Sequence, residues 1–265
     1  MNPSPIRFEV TDGIVRLTLA NPANRNAVDG AFVRALREAA VRCEVTPGLR
    51  CILLKAEGDV FSVGGDLREF IRERPQIQAH VKTMTVEFHA AIAIFNRLPV
   101  PFVVALHGMA AGGGASLVCM SDLAIATRSA RLNFAYTRSG LTPDGGATWF
   151  LPRLVGAQRA FDLLATNPTL DATAAAAMGL IARVVDDGDF EAEVERVVSQ
   201  LASMPAGAIG RLRQLLRAGL CNSLTEQLEL EGSGIAVQAA APETCAALDA
   251  FMARSAASDT GRKPA

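Results

Sequence analysis

Apolar and polar positions alternate over Ile14–Leu19 with the period of a half-buried strand, and Asn21-Pro22 stops the run before a polar loop of Asn24, Arg25, Asn26 and Ala27. Asp29 is placed to N-cap a helix whose apolar stripe is Val33, Leu36, Ala40 and Cys43, and Pro47-Gly48 closes that region. Cys51–Leu54 and Pro99–Leu106 are uninterrupted and rich in branched residues, which predicts strands buried on both faces. Between them, residues 76–97 carry Val81, Thr85, Phe88, Ile92 and Phe95 at helical spacing, with His89 beside that face. Further on, Asp122–Ala126 predicts a strand, Leu132–Tyr136 a short extended piece, and Trp149–Gly156 a lead into a helix over 157–165. A helix over 172–178, closed by Gly179, precedes a last strand at Leu180–Val185.

From residue 190 the pattern turns helical throughout. Phe190, Val194, Val197, Val198 and Leu201 form one stripe; segments 206–219, 223–238 and 243–254 follow, and 255–265 is expected to fray. Strand-then-helix units followed by helices alone predict an α/β core over 1–195 with an all-α region over 196–265. Apolar stripes on such a tail are suited to packing on a neighbouring subunit.

Composition narrows the class. The 265 residues are 50% hydrophobic and 20% charged, with a formal charge of −1 and no basic block, so nucleic acid is not an expected partner. Five scattered cysteines, at 43, 51, 119, 221 and 245 and without a C-x-x-C, read as free thiols of a reducing compartment. Residues 1–10 lack a secretory pattern, and no apolar run approaches the ~20 residues of a membrane span. A cytoplasmic protein is expected, with no metal site and no membrane.

Two glycine junctions carry the candidate chemistry. In one, the strand ending at Leu106 runs through His107-Gly108 and Gly112-Gly113-Gly114 into a small-residue helix over 115–120. Bare backbone N–H groups at a helix start can hold a phosphate or an oxyanion, or simply form a tight turn. The residues fit neither G-x-x-x-x-G-K-[S/T] nor G-x-G-x-x-G, which favours an oxyanion hole. Such a hole needs a second donor, and the second junction supplies it: a strand within the stretch from Gly58 runs into Gly64-Gly65, and Asp66 is placed to cap the helix that follows. The turn Thr142–Gly146 holds Asp144, which can cap the next helix or project into a site.

The order of these motifs resembles the crotonase superfamily, the enoyl-CoA hydratase/isomerase family. The matching pieces are Asn21-Pro22 with Asn24–Ala27, Phe61–Leu67, Pro101–Ser116, Asp122–Ala126, Gly140–Gly146 and Leu151–Gly156. The resemblance implies a spiral of ββα units with a C-terminal helical region that builds homotrimers or dimers of trimers. It implies acyl-CoA substrates, with coenzyme A entering as part of the substrate and no separate cofactor. By position, Gly65 and Gly113 are similar to the family's two oxyanion donors. Arg25, Ala27, Val63, Gly65, Asp66 and Leu67 fall where the coenzyme is held.

The departures from that family pattern point to the reaction. Hydratases of the family carry two Glu residues where this chain has Ser116 and Tyr136, so water addition is disfavoured and Ser116 reads as structural. Asp144 remains as the candidate acid/base. The runs Phe134–Asp144 and Trp149–Gly156 look like the phenylacetate-pathway ring-epoxide and enoyl-CoA isomerase branch, in which one carboxylate shifts a double bond while the oxyanion hole holds the enolate. A rival is the aryl-CoA dehalogenase branch: there Asp144 would attack the ring, His89 activate water and Tyr136 pack the substrate. The same residues leave open a thioester hydrolase, a hydratase with atypical residues and a non-catalytic acyl-CoA binder.

Overall fold

The computed structural model describes residues 4–260, with side chains to residue 252. A main sheet runs in the order β1 (Ile6–Thr11), β2 (Ile14–Leu19), β3 (Cys51–Ala56), β4 (Phe102–Leu106), β6 (Leu123–Thr127) and β9 (Arg183–Val185). Only β1 against β2 is antiparallel; the other neighbours are parallel and are joined through helices. A small second sheet joins β5 (Met109–Ala111), β7 (Arg131–Asn133) and β8 (Leu170–Asp171).

The uninterrupted apolar runs follow from a sheet covered on both faces. Ile52, Leu54, Val104 and Leu106 face one core with α1 (Gly30–Glu44), α3 (Ile77–Arg97) and α4 (Gly113–Met120). Their neighbours Cys51, Leu53, Val103 and Ala105 face Phe190, Val194, Val197 and Val198 of α8 (Phe190–Ser203). Asp29 caps α1 as its position predicts, accepting from Phe32 N–H at 2.8 Å. Between α1 and α3 lies the short α2 (Leu67–Arg72), and α5 (Ala147–Val155), α6 (Ala157–Thr166) and α7 (Ala172–Ala177) complete this part.

The chain divides into two compact units, residues up to Ala202 and residues from Ser203. The expected boundary at 195/196 lies inside α8, whose buried valines carry the first unit past it. The second unit contains α9 (Ala206–Ala218), α10 (Leu224–Ala239) and α11 (Pro242–Thr260). Ser223 and Glu226 form a reciprocal capping box at the start of α10. The fraying expected from 255 is not seen as far as Thr260, where α11 ends, and 261–265 lie outside the described residues.

Four local readings are corrected. Trp149–Val155 is not a lead-in but part of α5; Pro152 sits inside it and forfeits one intrahelical bond that a two-turn helix survives. No continuous strand precedes Gly64: the stretch makes single bridges at Ser62 and Gly65. The extended piece at 132–136 is paired only as far as Asn133, because Ala135 turns to φ +49. The last strand starts at Arg183 rather than Leu180.

All five cysteines are free thiols, and burial pushes Cys43, Cys51 and Cys119 up to about 12. Among the described residues no helix is long and apolar enough to cross a membrane.

Candidate active site

The two glycine junctions meet through one parallel bridge, Ser62 with Ala110, and a second parallel bridge ties Val28, after the Asn24–Ala27 loop, to Gly65. In the second bridge Val28 N–H donates to Gly64 O at 2.8 Å and Asp66 N–H donates to Val28 O at 3.2 Å. Those bonds use the residues on either side of Gly65, so its own N–H points away from Val28. Gly113 is the first residue of α4, where an amide has no intrahelical acceptor. Both glycines line one cavity of about 280 Å³.

The junctions interlock with no room to spare. Gly64 takes φ +80, and a Cβ there would sit 2.7 Å from Ala111 O. A Cβ on Gly114 would sit 2.7 Å from Ser62 Cβ. The Ser62 hydroxyl donates to Asn26 O at 2.7 Å and accepts from Gly64 N–H at 3.2 Å. Asn26, buried at φ +51, donates to Glu57 O at 2.9 Å and Val60 O at 3.1 Å and accepts from Asn21 N–H at 3.0 Å. The Asn24–Ala27 motif therefore builds the wall behind the Gly65 junction, a role that only the buried position of Asn26 discloses.

Asp144 enters from the opposite side on the loop between β7 and α5. Its side chain does not cap α5: Gly146 holds the cap position, and the Asp144 carbonyl takes Ala147 N–H at 3.0 Å. The carboxylate instead lines the cavity, where Oδ1 accepts from Tyr136 OH at 2.8 Å. Gly145, at φ +60, lets the loop press between α3 and α4; a Cβ there would lie 2.7 Å from Phe88 Cε1 and 2.8 Å from Ser116 Cβ. Burial raises the Asp144 carboxyl above the ordinary carboxylate range, against the opposing pull of the Tyr136 hydrogen bond and of His89. Burial, followed by the neighbouring Asp144 charge, holds the Tyr136 phenol well above its usual value, so it stays protonated as a donor. Among the described residues no other carboxylate lines the cavity. The remaining wall is largely apolar, with Val28, Phe70, Met84, Phe88 and Phe134 among its residues.

Of the sequence-predicted residues, Gly65, Gly113, Asp144, Tyr136, Val63 and Leu67 all line this cavity. His89 does not line it; the side chain is exposed and meets the site through Gly145, whose N–H donates to its Nε2 at 3.1 Å. Arg25, Ala27 and Asp66 also stand off the cavity wall. Arg25 is exposed at φ +52 and its carbonyl takes Val63 N–H at 3.3 Å, while Ala27 is buried. Asp66 caps α2 through Arg68 N–H at 3.0 Å. Ser116 is drawn into the site by its bonds to Tyr136 and Asp144, which a serine in an apolar helix does not announce in sequence.

The family model for enoyl-CoA hydratase/isomerase matches residues 9–255. The chain is 31% identical over 250 residues to 4-chlorobenzoyl coenzyme A dehalogenase-1 of Arthrobacter sp., covering 94% of this chain and 91% of that one. It is 32% identical over 259 residues to 1,2-epoxyphenylacetyl-CoA isomerase of Escherichia coli, covering 97% and 98%. Among solved structures, an enoyl-CoA hydratase from Mycobacterium smegmatis superposes with a TM-score of 0.88 at 29% identity, covering 96% of this chain and 97% of that one. The α/β spiral with its helical C-terminal region is therefore the crotonase fold, and the chain belongs to the enoyl-CoA hydratase/isomerase family.

Proposed function

We propose that this chain isomerises an enoyl-type CoA thioester, shifting a double bond or remodelling a ring through an enolate. The observation that carries the reading is that Asp144, the one carboxylate among the described residues of the cavity wall, shares that cavity with the Gly65 and Gly113 amides. The thioester oxygen would accept both N–H groups, with the start of α4 adding its partial positive charge. Asp144 would take a proton from one carbon of the acyl group and return it to another. No atom is gained or lost, so a single base suffices and its raised pKa suits it to both directions of transfer. Hydration would require a second group to position water. At the two positions in question stand Ser116 and Tyr136, whose hydroxyls are already bonded to each other.

Coenzyme A would enter as part of the substrate, with Val63 and Leu67 at the cavity, Asp66 between them capping α2, and Arg25 and Ala27 on the adjoining loop. Exposed leucines at 212, 216, 224 and 228 support assembly as a homotrimer or dimer of trimers. The free thiols fit a cytoplasmic setting.

Aryl-CoA dehalogenation is the second reading, favoured by the contact of His89 with the Asp144 loop and opposed by its detail. Nε2 of His89 already accepts Gly145 N–H, which engages the lone pair a water-activating base requires.

Mass spectrometry of a 3-enoyl-CoA incubated with the protein in deuterium oxide tests the proposal. A 2-enoyl product of unchanged heavy-atom composition that has taken up deuterium is expected. Addition of water or release of free acid overturns it in favour of hydration or hydrolysis. Turnover confined to halogenated benzoyl-CoA overturns it in favour of the second reading.

A further inference from the structure

Ser116 is fully buried at the end of the first turn of α4, where its N–H closes onto Gly112 O. Its Oγ lies 2.8 Å from Tyr136 OH, 3.1 Å from the Asp144 carbonyl oxygen and 3.3 Å from the Gly112 carbonyl oxygen. Proton counting orders this cluster. A phenol has a single O–H, and an ionised carboxylate can only accept. The Tyr136 proton therefore lies on its 2.8 Å bond to Asp144 Oδ1. The contact between the two hydroxyls is then made by Ser116 donating to the phenolic oxygen, the nearest of its three acceptors. The resulting chain runs one way, from Ser116 to Tyr136 to Asp144. Among the described residues none hydrogen-bonds Oδ2, the second carboxylate oxygen.

We infer that Ser116 is a positioning residue: through Tyr136 it fixes Oδ1 of Asp144 and leaves Oδ2 as the atom that takes and returns the substrate proton. The inference rests on Asp144 being the acid/base. Chained hydrogen bonds polarise one another, so the serine strengthens the bond that Tyr136 gives to the carboxylate. The charged and titratable groups around Asp144 are few. Tyr136 faces it from its own loop and His89 from α3; α4 contributes only the Ser116 hydroxyl. Arg153 of α5 is turned onto the Trp149 ring, 4.0 Å from its centroid.

The test is a carbon-13 carboxyl titration of Asp144 by NMR in the whole protein, for wild type, Ser116→Ala, Tyr136→Phe and the double variant. Kinetics on a 3-enoyl-CoA accompany it. Removing a hydrogen bond to the charged form raises a carboxyl pKa. Tyr136→Phe is expected to move the midpoint up by about one unit or more. Ser116→Ala is expected to move it up by a few tenths of a unit, the ~10–30% share that a chained bond lends its neighbour. With it kcat falls several-fold at unchanged KM. In the Tyr136→Phe background Ser116→Ala is expected to change the midpoint no further, because its effect passes through the phenol.

A Ser116→Ala midpoint that overlays wild type overturns the inference, as does a shift of full size in the Tyr136→Phe background. Ser116→Cys keeps the side chain's size with a weak donor, so its titration reports the same loss if the alanine variant folds poorly. Asp144→Asn separates the two levels. If it retains activity, the acid/base reading falls. If it is inactive while the Ser116→Ala titration overlays wild type, only the serine's role falls.

Discussion

Gly113 and Gly114 are neighbours at the start of one helix, yet the structure assigns them opposite tolerance to a methyl group. A Cβ on Gly113 would meet Val28 Cγ2 at 3.4 Å and Phe88 Cε1 at 3.6 Å, ordinary van der Waals contact. A Cβ on Gly114 would lie 2.7 Å from Ser62 Cβ and 3.1 Å from Ser62 O, distances that force the serine segment to move. Glycine to alanine in a helix gains up to ~1 kcal/mol of propensity at either position. The difference between the two variants therefore isolates the clash, and overpacking of this kind costs about 1–3 kcal/mol. For a unit of this size that separates the melting temperatures of Gly113→Ala and Gly114→Ala by roughly 2–10 °C. Activity follows the same geometry. Ser62 holds Gly64 N–H and Asn26 O, so displacing it shifts the segment that carries the Gly65 amide, the proposed donor to the thioester oxygen. Loss of one such donor costs up to about 10²–10³ in kcat. Gly114→Ala is expected to fall more than tenfold below Gly113→Ala, which keeps both N–H groups. Differential scanning calorimetry and steady-state kinetics on the two purified variants check this. Equal melting temperatures and equal kcat would refute the interlock.

Asp144→Asn is expected to lower turnover by at least about 10²-fold and to raise thermal stability at neutral pH. The native carboxyl has a raised pKa, so the unfolded chain releases its proton first as pH rises. Stability then falls from the unfolded value up to the folded one and stays reduced above it, a cost that asparagine does not bear. The two melting curves should converge below the ordinary carboxylate range; a gap independent of pH would contradict this. Asn26→Ala strands the Glu57 and Val60 carbonyls and the Asn21 N–H. Each costs ~1–3 kcal/mol when buried without a partner, so a total above about 2 kcal/mol is expected from urea unfolding. A loss below half that would show the wall relaxing to new partners.

The parallel strands were legible because burial on both faces leaves no polar residue in β3 until Lys55, and none in β4. The meeting of Gly65, Gly113 and Asp144 at one cavity was legible as well, since glycines after apolar runs mark close backbone approach and Asp144 is a carboxylate in a glycine turn. Other features depend on contacts that one sequence does not display. The three-residue β5 is Met-Ala-Ala beside glycines, with no alternation to read. Periodicity puts His89 beside the buried face of α3, but its bond to Gly145 spans 56 residues. Ser116 is a small residue in an apolar helix until Tyr136 and Asp144 fold onto it. Pro152 hid α5, because a proline inside a short segment argues against a helix when only propensity is weighed.

The interlocked glycine junctions have a consequence for how such a scaffold changes its chemistry. The two oxyanion donors proposed above are main-chain amides, so most substitutions at Gly65 or Gly113 alter the space around the N–H without deleting it. On the proposed reading, the handling of the thioester oxygen is thus largely insulated from mutation. The proposed acid/base, Asp144, and the residues that position it, Ser116 and Tyr136, act instead through side chains, which a substitution removes outright. Reaction type can then change through positions 116, 136 and 144 with the main-chain amides kept. Relatives named as a dehalogenase and as an isomerase stand at nearly equal identity, 31% and 32%, as such a division of labour predicts.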